Sequence, residues 1–467
     1  ISTRDWSSDV CSSDLMRAIA DSVAEYYRAQ GYFLAKAVIP EQDIAGGIVN
    51  IEVLEGRLGK VEITGEVNYS EAYLQSFFNH IRKQGVIKKN NLERALLIMN
   101  SLPGLKVSST LKAGKEKGTT DIVVSVEEGD RLIATIEMDN FGSRYARVRA
   151  LAGLDFISPF NRGDACSLSG LTGISSDKLY YVTANCSIPV DANGTAIGFY
   201  GLTGDFGVGK EFAALNIQGE ASAFGASVNR VLKINKNGSS VGEFGIDSKK
   251  SRQDVLGALS SEDSVVSLRL TMKSNVTDRS GRTFVGATVQ HGLGDALGGM
   301  ADDDPQSSRA AAGADNSFTK ITFEAARAQY LSDKAFLLAR MVAQSTTESL
   351  VAGEQFGIGG ANSVRGFSQA VYSGDDGGQI SLEARFATSK ERLEKFQFVT
   401  FVDLGHIKVK KPVLGQVESK TIVGGGVGFR AYPIEGLFLM ADIGFPFSGK
   451  TDNDDSLVPY LKMTRTF

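Results

Sequence analysis

From Arg131 to the C-terminus, apolar and polar residues alternate over run after run, and period-two patterning on that scale demands a protein made of many strands. Ser264 to Lys273 sets Val266, Leu268, Leu270 and Met272 on one face and Ser267, Arg269, Thr271 and Lys273 on the other. Gln379 to Phe386 repeats the scheme, with Ile380, Leu382, Ala384 and Phe386 against Gln379, Ser381, Glu383 and Arg385. Successive strand side chains point to opposite faces, so each run carries one apolar and one charged face. The 52 glycines and only 9 prolines suit strands joined by tight turns. No stretch reaches the ~18 consecutive apolar residues of a membrane helix, but a membrane strand needs only about 10 alternating residues. Two architectures fit: a soluble sandwich and a membrane barrel. Ions of both signs on the polar face favour the barrel, whose lumen is wet.

Connection lengths point the same way. Sixteen strand candidates begin near residues 131, 146, 163, 177, 194, 212, 240, 264, 282, 317, 334, 378, 396, 421, 436 and 458. Gaps after odd-numbered strands are long: Ser248 to Asp263, Gly292 to Asn316, Thr347 to Gly377, Ile407 to Lys420, Phe447 to Val458. Gaps after even-numbered strands are brief, as at Ser158 to Arg162 or Leu331 to Lys334. Outer-membrane barrels show this asymmetry, with short periplasmic turns and long outer loops. The first strand then starts on the periplasmic side, and the loops at Gly292 to Asn316 and Phe447 to Val458 face outward.

The 50 basic and 54 acidic residues are well mixed, so no basic stripe points to nucleic acid. Residues 1–15 have neither the charged start nor the apolar core of a signal peptide and are expected to be non-native. Of the cysteines, Cys166 and Cys186 fall on neighbouring strands, and the inferred pairing places them on opposite faces, against a disulfide. His80, His291 and His406 have no metal-ligand spacing, and no Ser-His-Asp set suggests hydrolysis, so neither cofactor, metal nor enzymatic activity is expected.

Residues before 130 are mixed α and β. Ile19, Val23 and Tyr26 share a helical face closed by Gly31, and short strands follow at Tyr32 to Ile39 and Ile48 to Leu54. A second unit has a strand at Leu58 to Thr64, a helix capped by Ser70 with Leu74, Phe77, Phe78 and Ile81 on one face, and a helix that Asn90 and Glu93 open as a capping box. Strands at Leu105 to Leu111 and Thr120 to Val126 complete it. The order reads as two copies of one small domain, 16–56 (truncated) and 57–129, ahead of a barrel at 130–467.

The loop from Thr347 to Gly377 holds 31 residues, long enough to imply a function. It reads Gly359-Gly360-Ala361-Asn362-Ser363-Val364-Arg365-Gly366-Phe367. On the strand from Phe396 to Gly405, Asp403 shares a face with Gln397, Val399, Phe401 and Gly405, opposite Phe398, Val402 and Leu404, and so points into the lumen. The glycines permit the sharp reversal that would fold the loop inward to bring Arg365 to Asp403. Taken alone, Arg365 could equally be a solvated loop residue.

Val364-Arg365-Gly366-Phe367 and Phe401-x-Asp403-x-Gly405 resemble the VRGF and F-x-D-x-G signatures of the two-partner secretion translocators, in their haemolysin-secretion branch. Gly31-Tyr32, Ile39-Pro40-Glu41-Gln42, and Asn91-Leu92-Glu93-Arg94 through Pro103-Gly104 resemble that family's POTRA domains, although ordinary capping and packing explain most of these residues. The resemblance implies an all-β transmembrane barrel of about 16 antiparallel strands behind α+β POTRA domains. It also implies an unfolded, β-helical exoprotein as client, an outer-membrane lipid setting, and Phe467 as the signal read by the barrel assembly machinery. A barrel insertase of the same superfamily and a passive porin are the alternatives; insertases carry more POTRA copies and porins need none.

Overall fold

A strand exposed to lipid must satisfy its backbone polar groups within the protein, and a sheet with one apolar face does so by closing on itself. In the computed structural model, which describes residues 6–42, 48–143, 147–174, 179–208, 214–450 and 455–467, sixteen antiparallel strands form a closed barrel. The first, Leu132–Asp139, pairs with the last, Val458–Thr466, over Thr135 to Asp139. Phe467 prolongs this seam through reciprocal backbone hydrogen bonds with Ala134 of 2.9 and 3.3 Å. Its side chain lies on the outer face with Leu461 and Met463, all three exposed. Alternation is strict in the thirteenth strand, Phe396–Lys408, where every second residue from Gln397 to Ile407 is buried and the residues between are exposed.

The expected loop from Ser248 to Asp263 is absent. The seventh and eighth strands, Gly238–Val255 and Ala258–Asp278, run into it and meet at Leu256-Gly257. Both turn residues have positive φ, 56° and 78°, the twist a two-residue hairpin needs. Polar residues there continue the ladder beyond the apolar band. The cysteine expectation also fails: Cys166 and Cys186 are direct partners on the third and fourth strands, Ala165–Gly173 and Leu179–Pro189, and form a disulfide. The observed register differs from the inferred one by an odd number of residues, which brings both to one face.

Ahead of the barrel, the helix Trp6–Ala29 extends the expected one N-terminally and ends at Gly31. Lys36–Val38 and Glu52–Leu54 pair antiparallel beside it. In the second unit the central strand, Thr119–Glu128, lies between Arg57–Thr64 (parallel) and Leu105–Ala113 (antiparallel), which are the edges. Leu74, Phe78, Ile81, Met99 and Ile122 pack its core. The helix expected from Ser70 is two, Glu71–Ser76 and Asn79–Gln84, with Ser70 capping the first through Tyr73 N.

The capping box is not formed: Lys89–Asn100 has no side-chain cap. Glu93 instead accepts from Lys236 N at 3.3 Å, and Arg94 donates to the carbonyls of Asn193 and Val231 at 3.1 and 3.0 Å. These residues seat the helix on the barrel's short turns. Among the described residues no helix is long and apolar enough to cross a membrane.

Candidate functional site

The chain leaves the eleventh strand, Ala335–Thr346, and turns into the barrel. Within this loop Phe356–Ile358 pairs with Tyr372–Gly374, a small antiparallel strut whose tip carries the motif. Gly366 has φ of 102°, and a Cβ there would lie 2.6 Å from Phe445 C, so conformation and space both exclude a side chain. Val364 and Phe367, fully buried, join Ile358, Ile407 and Ile422 in one apolar cluster.

Arg365 is 2% exposed and meets Asp403, which is wholly buried. Nε donates to Asp403 Oδ2 at 2.7 Å and Nη2 to Oδ1 at 3.0 Å, a bidentate fork, and the Arg365 backbone N–H adds a bond of 3.1 Å to Oδ2. The guanidinium carbon lies 3.4 Å from the centre of the Phe401 ring, so that motif residue supplies a π face. Gly405 makes room: a Cβ on it would fall 2.8 Å from Val364 Cγ2. Every residue singled out in the two motifs thus comes together.

Partners outside the motifs complete the centre. Arg365 Nη1 donates to Glu383 Oε2 at 2.6 Å and to Asp442 Oδ2 at 3.2 Å. Arg385 Nε donates to Glu383 Oε1 at 2.6 Å, and Arg430 donates to both oxygens of Asp442. Three guanidinium groups therefore face three carboxylates from the twelfth strand (Asp376–Phe386) to the fifteenth (Leu437–Ser448), a largely satisfied network. Tyr460 Oη accepts from Gly366 N at 2.9 Å and donates to Phe367 O at 2.8 Å. Glu383 lies on a polar face already legible in the alternation, whereas Asp442, Arg430 and Tyr460 have no local motif.

The loop backbone needs a bare wall. Ideal Cβ atoms on Gly424 and Gly444 would lie 1.8 Å from Arg365 O and 2.5 Å from Gly366 N. The glycine at 424, within the run Gly424-Gly425-Gly426, went unread in the sequence, although such a run inside a strand is a signal of close backbone approach. No cluster of His, Cys, Asp and Glu suited to a metal occurs among the described residues. The arrangement holds the tip of the loop against the inner wall of the barrel.

A family model described as haemolysin secretion/activation protein ShlB/FhaC/HecB matches residues 118–431, and one for the ShlB-type POTRA domain matches residues 8–56. The chain is 24% identical over 477 residues to the heme/hemopexin transporter protein HuxB of Haemophilus influenzae, covering 98% of this chain and 82% of that protein. It is 24% identical over 428 residues to the outer membrane transporter CdiB of Dickeya dadantii, covering 87% and 72% of the two. The structure of CdiB from Escherichia coli superposes with a TM-score of 0.81 at 19% identity, covering 97% of this chain and 84% of that one.

Proposed function

The chain belongs to the haemolysin secretion/activation protein family, outer-membrane transporters of two-partner secretion with periplasmic POTRA regions, and we propose that it exports one large, unfolded β-helical exoprotein through the lumen its own loop occupies. The observation that carries this reading is the Arg365 centre: a buried ionic network fastens a loop across the lumen without making it part of the barrel wall. Breaking a buried pair costs about 3–5 kcal/mol, and partial hydration in a wet lumen lowers that, so the loop is held but removable.

We assign residues 16–56 and 57–129 to two POTRA domains. The second offers one of its edges, Leu105–Ala113, to an extended client segment beyond Val107, whose outward N–H and C=O are taken by the Asn100 side chain. Phe467, exposed at the seam, is the residue the barrel assembly machinery reads.

The test is export in cells that also express the neighbouring exoprotein gene. Arg365→Ala is expected to abolish or severely reduce release of the exoprotein while the barrel remains in the outer membrane with normal heat-modifiable migration. Release at the level of the unaltered protein overturns the assignment of the loop.

A further inference from the structure

The Arg365 centre fastens only the tip of the loop. We infer that Glu354 is a second, separately releasable latch, a positioning residue that keeps the loop's outer limb across the lumen, so that two ionic centres must open before a client passes. The inference rests on the reading that this loop blocks the export path.

Glu354 is 3% exposed although it lies in a loop, and a buried carboxylate needs partners. Its Oε1 accepts from Lys249 Nζ at 2.6 Å, and its Oε2 accepts from Lys320 Nζ and, at 3.3 Å, from Gln290 Nε2. Gln344 Nε2 donates to its backbone carbonyl at 3.1 Å. Lys249, Gln290 and Lys320 project from the seventh, ninth (Gly281–Gly292) and tenth (Thr319–Ser332) strands, a different wall from the one that binds Arg365. The loop is therefore fastened to two sectors of the barrel, with the Phe356–Ile358 and Tyr372–Gly374 strut between them.

Charge makes this contact releasable. Among the described residues Glu354 is the sole ion-pair partner of Lys249 and of Lys320. With the loop in place, two ammonium groups share one carboxylate; with the loop withdrawn, lumen water hydrates all three. The desolvation penalty that offsets the pairing is then recovered, which narrows the gap between the closed and open states. Removing the carboxylate alone leaves two cations facing each other under the loop and drives it away.

The test is single-channel recording of the purified full chain in planar lipid bilayers, comparing the unaltered protein with Glu354→Gln, Arg365→Ala and the double variant. Each single change is expected to raise open probability roughly tenfold or more, and the double to give sustained opening. Raised ionic strength should open the unaltered protein more than it opens Glu354→Gln, because the latch is electrostatic. If Arg365→Ala opens and Glu354→Gln stays as closed as the unaltered protein, the second latch is wrong. If neither opens, the reading of the loop as a barrier fails as well. Should Glu354→Gln not insert, the variant Lys249→Gln with Lys320→Gln removes the latch from the barrel side and strands the carboxylate instead, and its remaining closed overturns the inference equally.

Discussion

The carbonyl oxygen of Arg365 lies against the Cα of Gly424, so close that a Cβ on that glycine would fall 1.8 Å from it. The loop is thus seated by absent side chains as much as by charge. Gly424→Ala should destabilise the closed barrel by about 1–3 kcal/mol, the usual cost of overpacking. Heat-modifiability assays should show a lower transition temperature and bilayer recordings a higher basal conductance. An unchanged transition and conductance would mean that the loop does not rest on this wall.

Exchanging the central pair should not restore export. A two-residue salt bridge tolerates reversal in part, but Glu383 and Asp442 lie 2.6 and 3.2 Å from Arg365 Nη1. The doubly substituted Arg365→Asp, Asp403→Arg protein places a carboxylate before both of them. Exoprotein release should match that of Arg365→Ala, and recovery to half the normal level or more would show that the outer partners are dispensable.

The topology can be read with an impermeant thiol reagent on whole cells, in a background without the native cysteines. Gln306→Cys and Leu414→Cys, both exposed in long connections, should react. Ile434→Cys, exposed in a short turn at the opposite end, should be protected until the outer membrane is opened. The reverse pattern would invert the barrel.

Client capture by the edge strand would draw on backbone groups. In an antiparallel edge, adjacent residues direct their N–H groups alternately inward and outward. Ser108→Pro and Ser109→Pro, tested one at a time, should therefore differ: the change at the outward N–H weakens binding of an unfolded export segment, whereas the other disrupts the ladder to Thr119–Glu128. Charge changes at Arg82 or Lys83 on the neighbouring helix should leave binding within about twofold, since strand addition uses main-chain groups. If the helix changes abolish binding and neither proline does, recognition takes place in a helical groove.

Side-chain alternation, a local property of strand geometry, fixed the inward direction of Asp403, and read together with the charged polar face and the long-short asymmetry of the connections it pointed to the barrel and its strand number. It also placed Glu383 on a lumen face. What it could not determine was which inward residues share a height, because that depends on the register of every intervening pair and on closure of the sheet. Asp442 and Arg430 reach Arg365 and Glu383 only through that accumulated register. The same dependence reversed the cysteine expectation, where an odd offset between two strands changes the face of every side chain. Glu354 meets Lys249 and Lys320 across more than a hundred and more than thirty residues of chain, respectively, and Glu93 leaves its own helix to hold a barrel turn. Sequence decided the pieces and the faces they show, since those follow from nearest neighbours along the chain; the tertiary structure decided the ionic partners, since charges pair with whatever the closed barrel brings within reach.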